Sequence, residues 1–159
     1  MASGDTLIIF GAIDNEPPAS SIATLDFRNG HPVLDFASAG TEKAIFTGIM
    51  PQHYDGGGLT LKFHFTMTSA TSGTVTWEAE FERCSDGGDD LDADSFAAAN
   101  TGNGTANATS GVIDVADVTF TDGADMDSVV AGDLFRLRIS RTDSTTGDAE
   151  FHAVEIRET

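Results

Sequence analysis

The sequence is poor in several residue types, and each shortage excludes a class of architecture or site. Cys84 is the single cysteine in 159 residues, which excludes an intramolecular disulfide and a thiolate metal cluster. No apolar run approaches the roughly 18 residues that a membrane-spanning helix needs. The first residues lack the basic and apolar regions of a secretory signal. We therefore expect no membrane association and no secretion through such a signal.

Basic residues are also scarce, with 8 Lys and Arg against 26 Asp and Glu and a formal net charge of −18. A field of this sign repels nucleic acids and anionic lipid surfaces, so we expect neither as a partner. The aromatic residues are 11 Phe, 1 Trp and 1 Tyr, and rings without a polar group usually lie in a core. Together with 40% hydrophobic residues, they are sufficient for one hydrophobic core.

A β-hairpin is the clearest local pattern. Asn29 and Gly30 form the pair that type I′ turns prefer, and alternating segments flank them on both sides. This register places Leu25 opposite Leu34 on one apolar face. Pro32 cannot donate to a strand ladder, so one flank of the hairpin is expected at a sheet edge.

Other stretches predict long strands and one long excursion. Residues 59–68 and 75–82 alternate apolar and polar side chains with a period of two, which is typical of half-buried strands. Residues 84–111 are acidic and polar and predict a surface loop, with a short helical turn around 95–99. In the last strand, residues 149–157, the apolar face switches, so either a bulge intervenes or both faces are buried.

These strands predict an all-β, two-sheet antiparallel β-sandwich of jelly-roll-like type over residues 22–159. Residues 1–21 are expected to form a short N-terminal strand and a proline-containing arm. An immunoglobulin-like sandwich is the alternative, disfavoured because the Cys and Trp spacing does not fit it. The predicted core consists of the inward-facing residues Leu25, Phe27, Leu34, Phe36, Leu61, Phe63, Phe65, Val75, Trp77, Phe81, Phe135, Leu137 and Ile139.

No motif in the sequence predicts catalysis. The histidines His31, His53, His64 and His152 form no His-x-x-x-His pair, and no Gly-x-Ser-x-Gly motif occurs. Nucleophile, base and orienting group therefore have no signature here. We expect a protein that is not an enzyme and has no cofactor, with His31 and His64 on polar strand faces.

One acidic segment of the sequence could bind a metal ion. Asp90, Asp92 and Asp94 have the spacing that opens an EF-hand loop, but Ser95 replaces the required Gly and Thr101 replaces the bidentate Glu. A solvated acidic loop is therefore favoured, and calcium binding by the three aspartates is the weaker alternative.

Charged residues on two strands are expected to pair with one another. Glu78, Glu80 and Glu82 share one strand face, as do Arg136 and Arg138. We expect ion pairs between these groups, or with a partner subunit. Carboxylates at i and i+2 on an outward face are more typical of a solvated sheet than of a glycosidase pair.

Three parts of the chain together resemble a family of tailed-bacteriophage virion proteins. They are the hairpin 23–36, the strand pair within 54–83 and the closing hairpin within 132–157. The resemblance implies a jelly-roll-like virion component, either a capsid decoration protein or a head or tail appendage. It also implies a homo-oligomer, most simply a trimer, located in the virion and bound to other virion proteins such as the major capsid protein.

An N-terminal arm would suit such an assembly. The expected interface residues are Leu7, Ile8, Ile9, Phe10, Pro17 and Pro18. The alternative function is a carbohydrate-binding or receptor-binding β-sandwich module, since one fold serves many functions. Glycan platforms usually need an exposed Trp or Tyr, and Trp77 lies on the apolar face of its predicted strand, which disfavours this alternative.

Overall fold

The computed structural model describes residues 4–159, which form ten β-strands and two short 3₁₀ turns, Ala12–Asp14 and Ala124–Met126. In this range no helix has the length and apolar character needed to cross a bilayer. The strands are β1 (Thr6–Gly11), β2 (Thr24–Arg28), β3 (His31–Phe36), β4 (Lys43–Ile49), β5 (Leu59–Met67), β6 (Thr74–Cys84), β7 (Asn100–Thr105), β8 (Asp114–Phe120), β9 (Leu134–Arg141) and β10 (Ala149–Glu158).

The strands form two antiparallel sheets that enclose one core. The six-stranded sheet has the order β2-β3-β10-β5-β8, with β1 joined to β10, and the four-stranded sheet has the order β4-β9-β6-β7. The pairs β3–β10, β4–β9, β5–β8 and β6–β7 are nested like one long hairpin that has been wrapped into two layers. This is the jelly-roll arrangement, and the predicted all-β sandwich is confirmed.

The β2–β3 hairpin has the predicted turn and register. Asn29 and Gly30 adopt φ values of 47° and 81°, as a type I′ turn requires, and Leu25 lies opposite Leu34. The ladder between β3 and β10 extends only from Leu34 to Phe36, so Pro32 occupies a position where no ladder hydrogen bond is needed. β2 is the outermost strand of the six-stranded sheet.

Two residues predicted to lie in the core, Leu25 and Phe27, are instead 51% and 61% exposed. Leu25 lies opposite the buried Leu34 and so points to the inner side of the sheet, but β2 packs mainly on β3 and not on the four-stranded sheet. The alternation of apolar and polar residues predicted the correct face of the sheet for these two side chains. Their burial depends in addition on how far the second sheet extends over β2. The remaining predicted core residues are all buried, namely Leu34, Phe36, Leu61, Phe63, Phe65, Val75, Trp77, Phe81, Phe135, Leu137 and Ile139.

The predicted N-terminal strand is present as β1 and is part of the sandwich, and an interface role for its residues stays a prediction. β1 pairs with β10, and the Phe10 ring stacks on that of Phe46 with 5.3 Å between centroids. Leu7 and Ile8 are partly buried against the core, and only Ile9 in this strand is a large exposed apolar residue. β1 pairs with β10 along one edge, and within residues 4–159 no strand pairs with its other edge.

The proline-containing connector is a strap across the open side of the sandwich. Isolated bridges join it to Ile45 and Lys43 of β4, on either side of Pro17 and Pro18. Pro17 is exposed and Pro18 is half-buried. The connector therefore ties the six-stranded sheet to the edge of the four-stranded sheet.

The structure differs from the predicted loop at 84–111 in two respects, because the segment contains β7 and residues 95–99 form no helical turn. Four of the six residues of β7 are Asn or Gly, which have low strand propensity, so its pattern resembles a loop. A Cβ on Gly102 would lie 1.9 Å from the Asp117 carbonyl oxygen of β8. Only glycine permits this approach, through which β7 closes one side of the sandwich.

A β-bulge explains the face switch in β10. The pairing with β5 shifts between Phe151 and Ala153, so His152 is the extra residue. Phe151 faces the core before the bulge, and Val154 and Ile156 face it afterwards. Of the two alternatives that the sequence left open, the bulge is the correct one.

Candidate functional site

A groove of about 550 Å³ lies on the outer face of the six-stranded sheet. Its walls are the tip of the β2–β3 hairpin and the loop that precedes β8, and its floor is formed by β5 and the bulge of β10. The lining residues are Arg28, Asn29, His31, Thr66, Ser110, Gly111, Ile113 and His152.

The bulge places His152 at the groove floor, where its hydrogen bonds fix the position of its proton. Thr66 Oγ1 donates to Glu150 Oε2 at 2.7 Å and lies 3.0 Å from His152 Nε2. Because a hydroxyl has one proton, His152 Nε2 is then the donor to Thr66. The neutral imidazole therefore has Nδ1 as its acceptor.

An ion pair beneath the groove holds the hairpin to the sheet. Arg28 Nη1 donates to Glu150, which is only 6% exposed, and to the Met67 carbonyl oxygen at 3.1 Å. A Cβ on Gly111 would lie 2.6 Å from Arg28 Nη2, and Gly111 has a φ of 87°. Glycine therefore lets the loop before β8 pack directly on the guanidinium group and form the groove wall.

The acids next to the groove are not equivalent. Asp35 lies opposite Glu150 in the β3–β10 ladder, and one of its carboxylate oxygens has no hydrogen-bond partner. Burial, followed by the charges of Asp26, Glu150 and Asp148, raises the pKa of Asp35 to about 6. Glu150, in contrast, accepts hydrogen bonds from the guanidinium group of Arg28 and from the hydroxyl group of Thr66. Neither Asp35 nor Glu150 lines the groove itself.

The groove floor is electrically neutral near pH 7. Desolvation lowers the pKa of His152, and the charges of His31, Arg28 and His64 lower it further, although Glu150 acts in the opposite direction. His152 is therefore an uncharged imidazole, and Arg28 is neutralised by Glu150. The sequence placed His31 and His64 on polar strand faces, and both lie on this side of the sheet.

A second groove of about 440 Å³ continues from the first. It is lined by Ile9, His64, Ile113, Ala153 and Glu155, so Ile113 is common to both grooves. Ile9 and Ile113 are 62% and 45% exposed. Together the two grooves, hereafter the trough, run across the strands from β2 to β1.

The outer face of the four-stranded sheet is closed in comparison. Arg138 donates to Glu80 Oε1 at 2.8 Å, and Arg136 donates to Glu82 Oε2 at 2.9 Å, as the sequence predicted. Phe96 from the loop before β7 covers both guanidinium groups, with Cζ–centroid distances of 4.1 Å to Arg138 and 5.4 Å to Arg136. This glutamate–arginine ladder leaves its charges paired and covered by an aromatic ring.

The acidic loop does not assemble a ligand set. In the part of the chain that the structure describes, no group of three or more His, Cys, Asp or Glu side chains is placed to hold a metal ion. Asp90 Oδ1 instead accepts a hydrogen bond from the Asp92 amide at 3.1 Å, and Asp94 Oδ1 accepts one from the Ser95 amide at 2.8 Å. These bonds are local turn contacts.

The aromatic residues with polar groups lie inside the sandwich. Trp77 is fully buried among four phenylalanine rings, and Tyr54 is 4% exposed and donates its hydroxyl to the Gly57 carbonyl oxygen. Neither offers a platform at the trough. The prediction that Trp77 faces the core is confirmed.

Sequence reasoning missed the trough because its residues come from separate segments. Arg28 and His31 flank a turn that was recognised only as a turn, while Thr66 belongs to the polar face of a long strand. His152 was the one position with a signal, since it stands where the apolar face of the last strand switches. A bulge next to a polar residue often presents that residue to a site.

The comparisons with known proteins concern the fold. No family model matches the chain, and no curated protein matches it. A solved xylan-binding module, CBM15, is similar over 96% of this chain and 97% of its own, at 10% identity and a TM-score of 0.49. The CBM22-1 xylan-binding domain from Paenibacillus barcinonensis Xyn10C is similar over 99% of this chain and 96% of its own, at 14% identity and a TM-score of 0.39.

A third solved structure, described as "CBM4 structure and function", covers 93% of this chain and 80% of its own, at 15% identity and a TM-score of 0.39. At these identities and TM-scores, the likeness carries no information on a ligand.

Proposed function

We propose that this protein is a non-catalytic binding domain whose trough, on the outer face of the six-stranded sheet, binds a neutral oligosaccharide. One observation carries the proposal: an open groove of about 550 Å³ in which hydrogen-bonding side chains stand beside an exposed isoleucine. Concave sites with a few convergent polar groups are the usual form of small-molecule sites.

The polar groups of the trough fit a ligand rich in hydroxyl groups. Asn29, His31 and Ser110 present both donors and acceptors, and His152 Nδ1 adds an acceptor. The one cation in the first groove, Arg28, already has Glu150 as its counter-ion. A ligand without charge therefore meets the fewest unpaired charges, and the net charge of −18 repels an anionic one.

The apolar residues fit the other property of a sugar chain, the C–H face of a pyranose ring. Ile113 stands between the two grooves, and Ile9 is exposed in the second. Aliphatic side chains exclude water from such a face but do not stack as an indole ring does. We expect weak binding, with a dissociation constant on the order of 1 mM, equivalent to about −4 kcal/mol.

Hydrolysis of the bound chain is not part of the proposal. A glycosidase needs two carboxyl groups that flank the scissile bond, one of them with a raised pKa. Asp35 has a raised pKa and lies opposite Glu150, but both are placed beside the groove and do not line it. Glu150 is also occupied by Arg28 and Thr66.

Isothermal titration calorimetry with xylohexaose, cellohexaose and mannohexaose tests the proposal. At least one of these chains is expected to bind the wild type, and Ile113→Asp is expected to abolish binding. Val130→Asp is the matched control, since Val130 is 49% exposed, close to the 45% of Ile113, and lines neither groove. No heat of binding with any of the three, or equal binding by both variants, would refute the proposal.

A second function, that of a virion structural protein, follows from the sequence resemblance and is favoured by one structural observation. Large apolar residues are exposed where the connector and β2 border the sandwich, with Ile13 at 71%, Ile22 at 47% and Leu25 at 51% exposure, and all three line one groove. Contiguous apolar surface of this kind is typical of protein contacts. Negative-stain electron microscopy of the concentrated protein, alone and mixed with undecorated capsids, tests it. Lattices or decorated particles would support this function, and bare particles with monomeric protein would exclude it.

A further inference from the structure

We propose that the free edge of β2 pairs with the same edge of a second copy of this chain, antiparallel, about a twofold axis at Phe27. Arg28 also lines the first groove, so the interface borders the trough, but the pairing of the two strands does not depend on the ligand proposed there. It would join two six-stranded sheets edge to edge in a dimer.

The backbone of β2 is available on one side only. Within residues 4–159 the sole strand paired with β2 is β3. In an antiparallel hairpin, successive residues point their backbone N–H and C=O groups alternately toward the paired strand and away from it. Arg28 and Asp26 therefore bond to β3, while the amides of Phe27 and Leu25 point away. Ala23 confirms this direction, since its outward N–H donates to the Lys43 carbonyl oxygen at 3.1 Å.

The outward positions on β2 carry side chains that an edge strand normally avoids. Leu25 and Phe27 are 51% and 61% exposed, and natural edges are usually protected by charge, proline or a covering segment. Among the described residues, the Phe27 amide has the Asp26 carboxylate as its partner, at 2.7 Å. A carbonyl oxygen of a second copy would replace that carboxylate.

Charge selects one register for the pair. With Phe27 on the twofold axis, the two Phe27 residues face each other and Asp26 lies opposite Arg28 of the second copy, twice over by symmetry. An axis at Asp26 would place two aspartates opposite each other. An axis at Leu25 would need the amide of Ala23, which already bonds to Lys43. The sequence Asp-Phe-Arg is therefore self-complementary in a single register.

The overall charge opposes association and sets the conditions of the test. Each copy has a formal net charge of −18, so long-range repulsion is strong at low ionic strength. At about 0.5 M NaCl the screening length falls to roughly 4 Å, which removes this repulsion but leaves the hydrogen bonds and the aromatic contact.

Sedimentation velocity over a range of protein concentrations at that salt concentration tests the proposal. The wild type is expected to show a monomer–dimer equilibrium, and Phe27→Asp is expected to weaken it by at least about tenfold, since it places two carboxylates on the axis. Leu91→Asp is the control, because Leu91 is 66% exposed and lies in the acidic loop before β7. It should dimerise like the wild type.

The Asp26→Arg variant tests whether the two β2 strands pair in the proposed register and not in another one. It places arginine opposite Arg28 of the second copy, so it should weaken the dimer by about tenfold while the circular dichroism spectrum stays unchanged. A wild type that remains monomeric, a Phe27→Asp variant that dimerises normally, or an Asp26→Arg variant that dimerises more tightly would each overturn the proposal.

Discussion

The outer faces of the two sheets are built from the same alternating pattern but have opposite properties. On the four-stranded sheet Glu80 and Glu82 lie opposite Arg138 and Arg136, and they pair with them beneath Phe96. On the six-stranded sheet Asp35 lies opposite Glu150, and His152 is an extra residue without an opposite position. One face is a closed ladder, and the other is an open trough.

The difference shows how a jelly roll separates support from binding. Cross-strand pairs of opposite charge stabilise a face and consume its hydrogen-bonding groups. The bulge at His152 places a side chain outside the regular ladder, at some cost in stability, and this side chain lines the groove, where it is available to a ligand. Unfavourable local arrangements of this kind are typical of functional sites.

The largest expected effect tests whether the trough depends on one ion pair. Arg28→Met leaves Glu150, which is 6% exposed, without its cation. Because Arg28 itself is partly exposed, we expect a loss of about 2–3 kcal/mol in the free energy of unfolding at pH 7, less than for a fully buried pair. Urea denaturation measures this, and a loss below about 0.5 kcal/mol would contradict the assigned role.

The next prediction concerns Phe96, which covers the glutamate–arginine ladder on the four-stranded sheet. Phe96→Ala removes the ring that covers Arg136 and Arg138, and both guanidinium groups become hydrated. We expect about 1–2 kcal/mol of destabilisation from the lost cation–π contacts and the lost burial. Thermal unfolding with Phe96→Leu as the control separates the two contributions. Oligosaccharide binding in the trough should stay unchanged, so a loss of binding would show that the two faces are not independent.

A pH-dependent effect distinguishes Asp35, which lies beside the trough, from the glutamates of the ladder. The pKa of Asp35 is raised from 3.8 to about 6, so the folded chain holds this proton more tightly than the unfolded chain. The stabilising contribution of the neutral form is fully present below pH 3.8 and is lost as the pH rises through 6.

Asp35→Asn is therefore expected to stabilise the protein at pH 7.5 and to have little effect below pH 4. Since the carboxyl group is partly exposed, solvent screening reduces the expected gain to about 1 kcal/mol. Chemical denaturation at the two pH values measures it. A destabilised variant at pH 7.5 would mean that the Asp35 charge has a partner and that the like-charge account is wrong.

The smallest expected effect on stability is that of the Lys62–Asp117 ion pair, which lies on the six-stranded sheet outside the first groove. Lys62 Nζ pairs with Asp117 at 2.8 Å, and these two side chains are 26% and 48% exposed. Lys62→Met should change the free energy of unfolding by less than about 0.5 kcal/mol, because exposed ion pairs contribute little. A loss comparable to that of Arg28→Met would remove the contrast between the buried and the exposed pair.

Much of the fold could be predicted from the sequence because it depends on local rules. The Asn29-Gly30 turn fixed its own register, and the alternation over residues 59–68 and 75–82 corresponds to β5 and β6. What failed depends on distant parts of the chain. Phe27 is exposed because the opposing sheet ends too early, and Gly102 lies in a strand because β8 approaches it.

The trough was harder to predict than the core. Its floor requires the β5–β10 register, the bulge at His152 and the loop at Gly111 together, and none of these is encoded in adjacent residues. The glutamate–arginine ladder was predictable, in contrast, because opposite charges on strand faces of equal period suggest a pair. Sequence patterns report satisfied interactions more readily than unsatisfied ones.

The most direct test of the trough as a binding site is a two-dimensional ¹H–¹⁵N NMR titration with the neutral hexasaccharides. The account predicts that amide shifts cluster at Arg28, His31, Ser110, Ile113 and His152, and that those of the glutamate–arginine ladder do not move. Absence of shifts at millimolar ligand, or shifts centred on Phe96 and the four-stranded sheet, would contradict it.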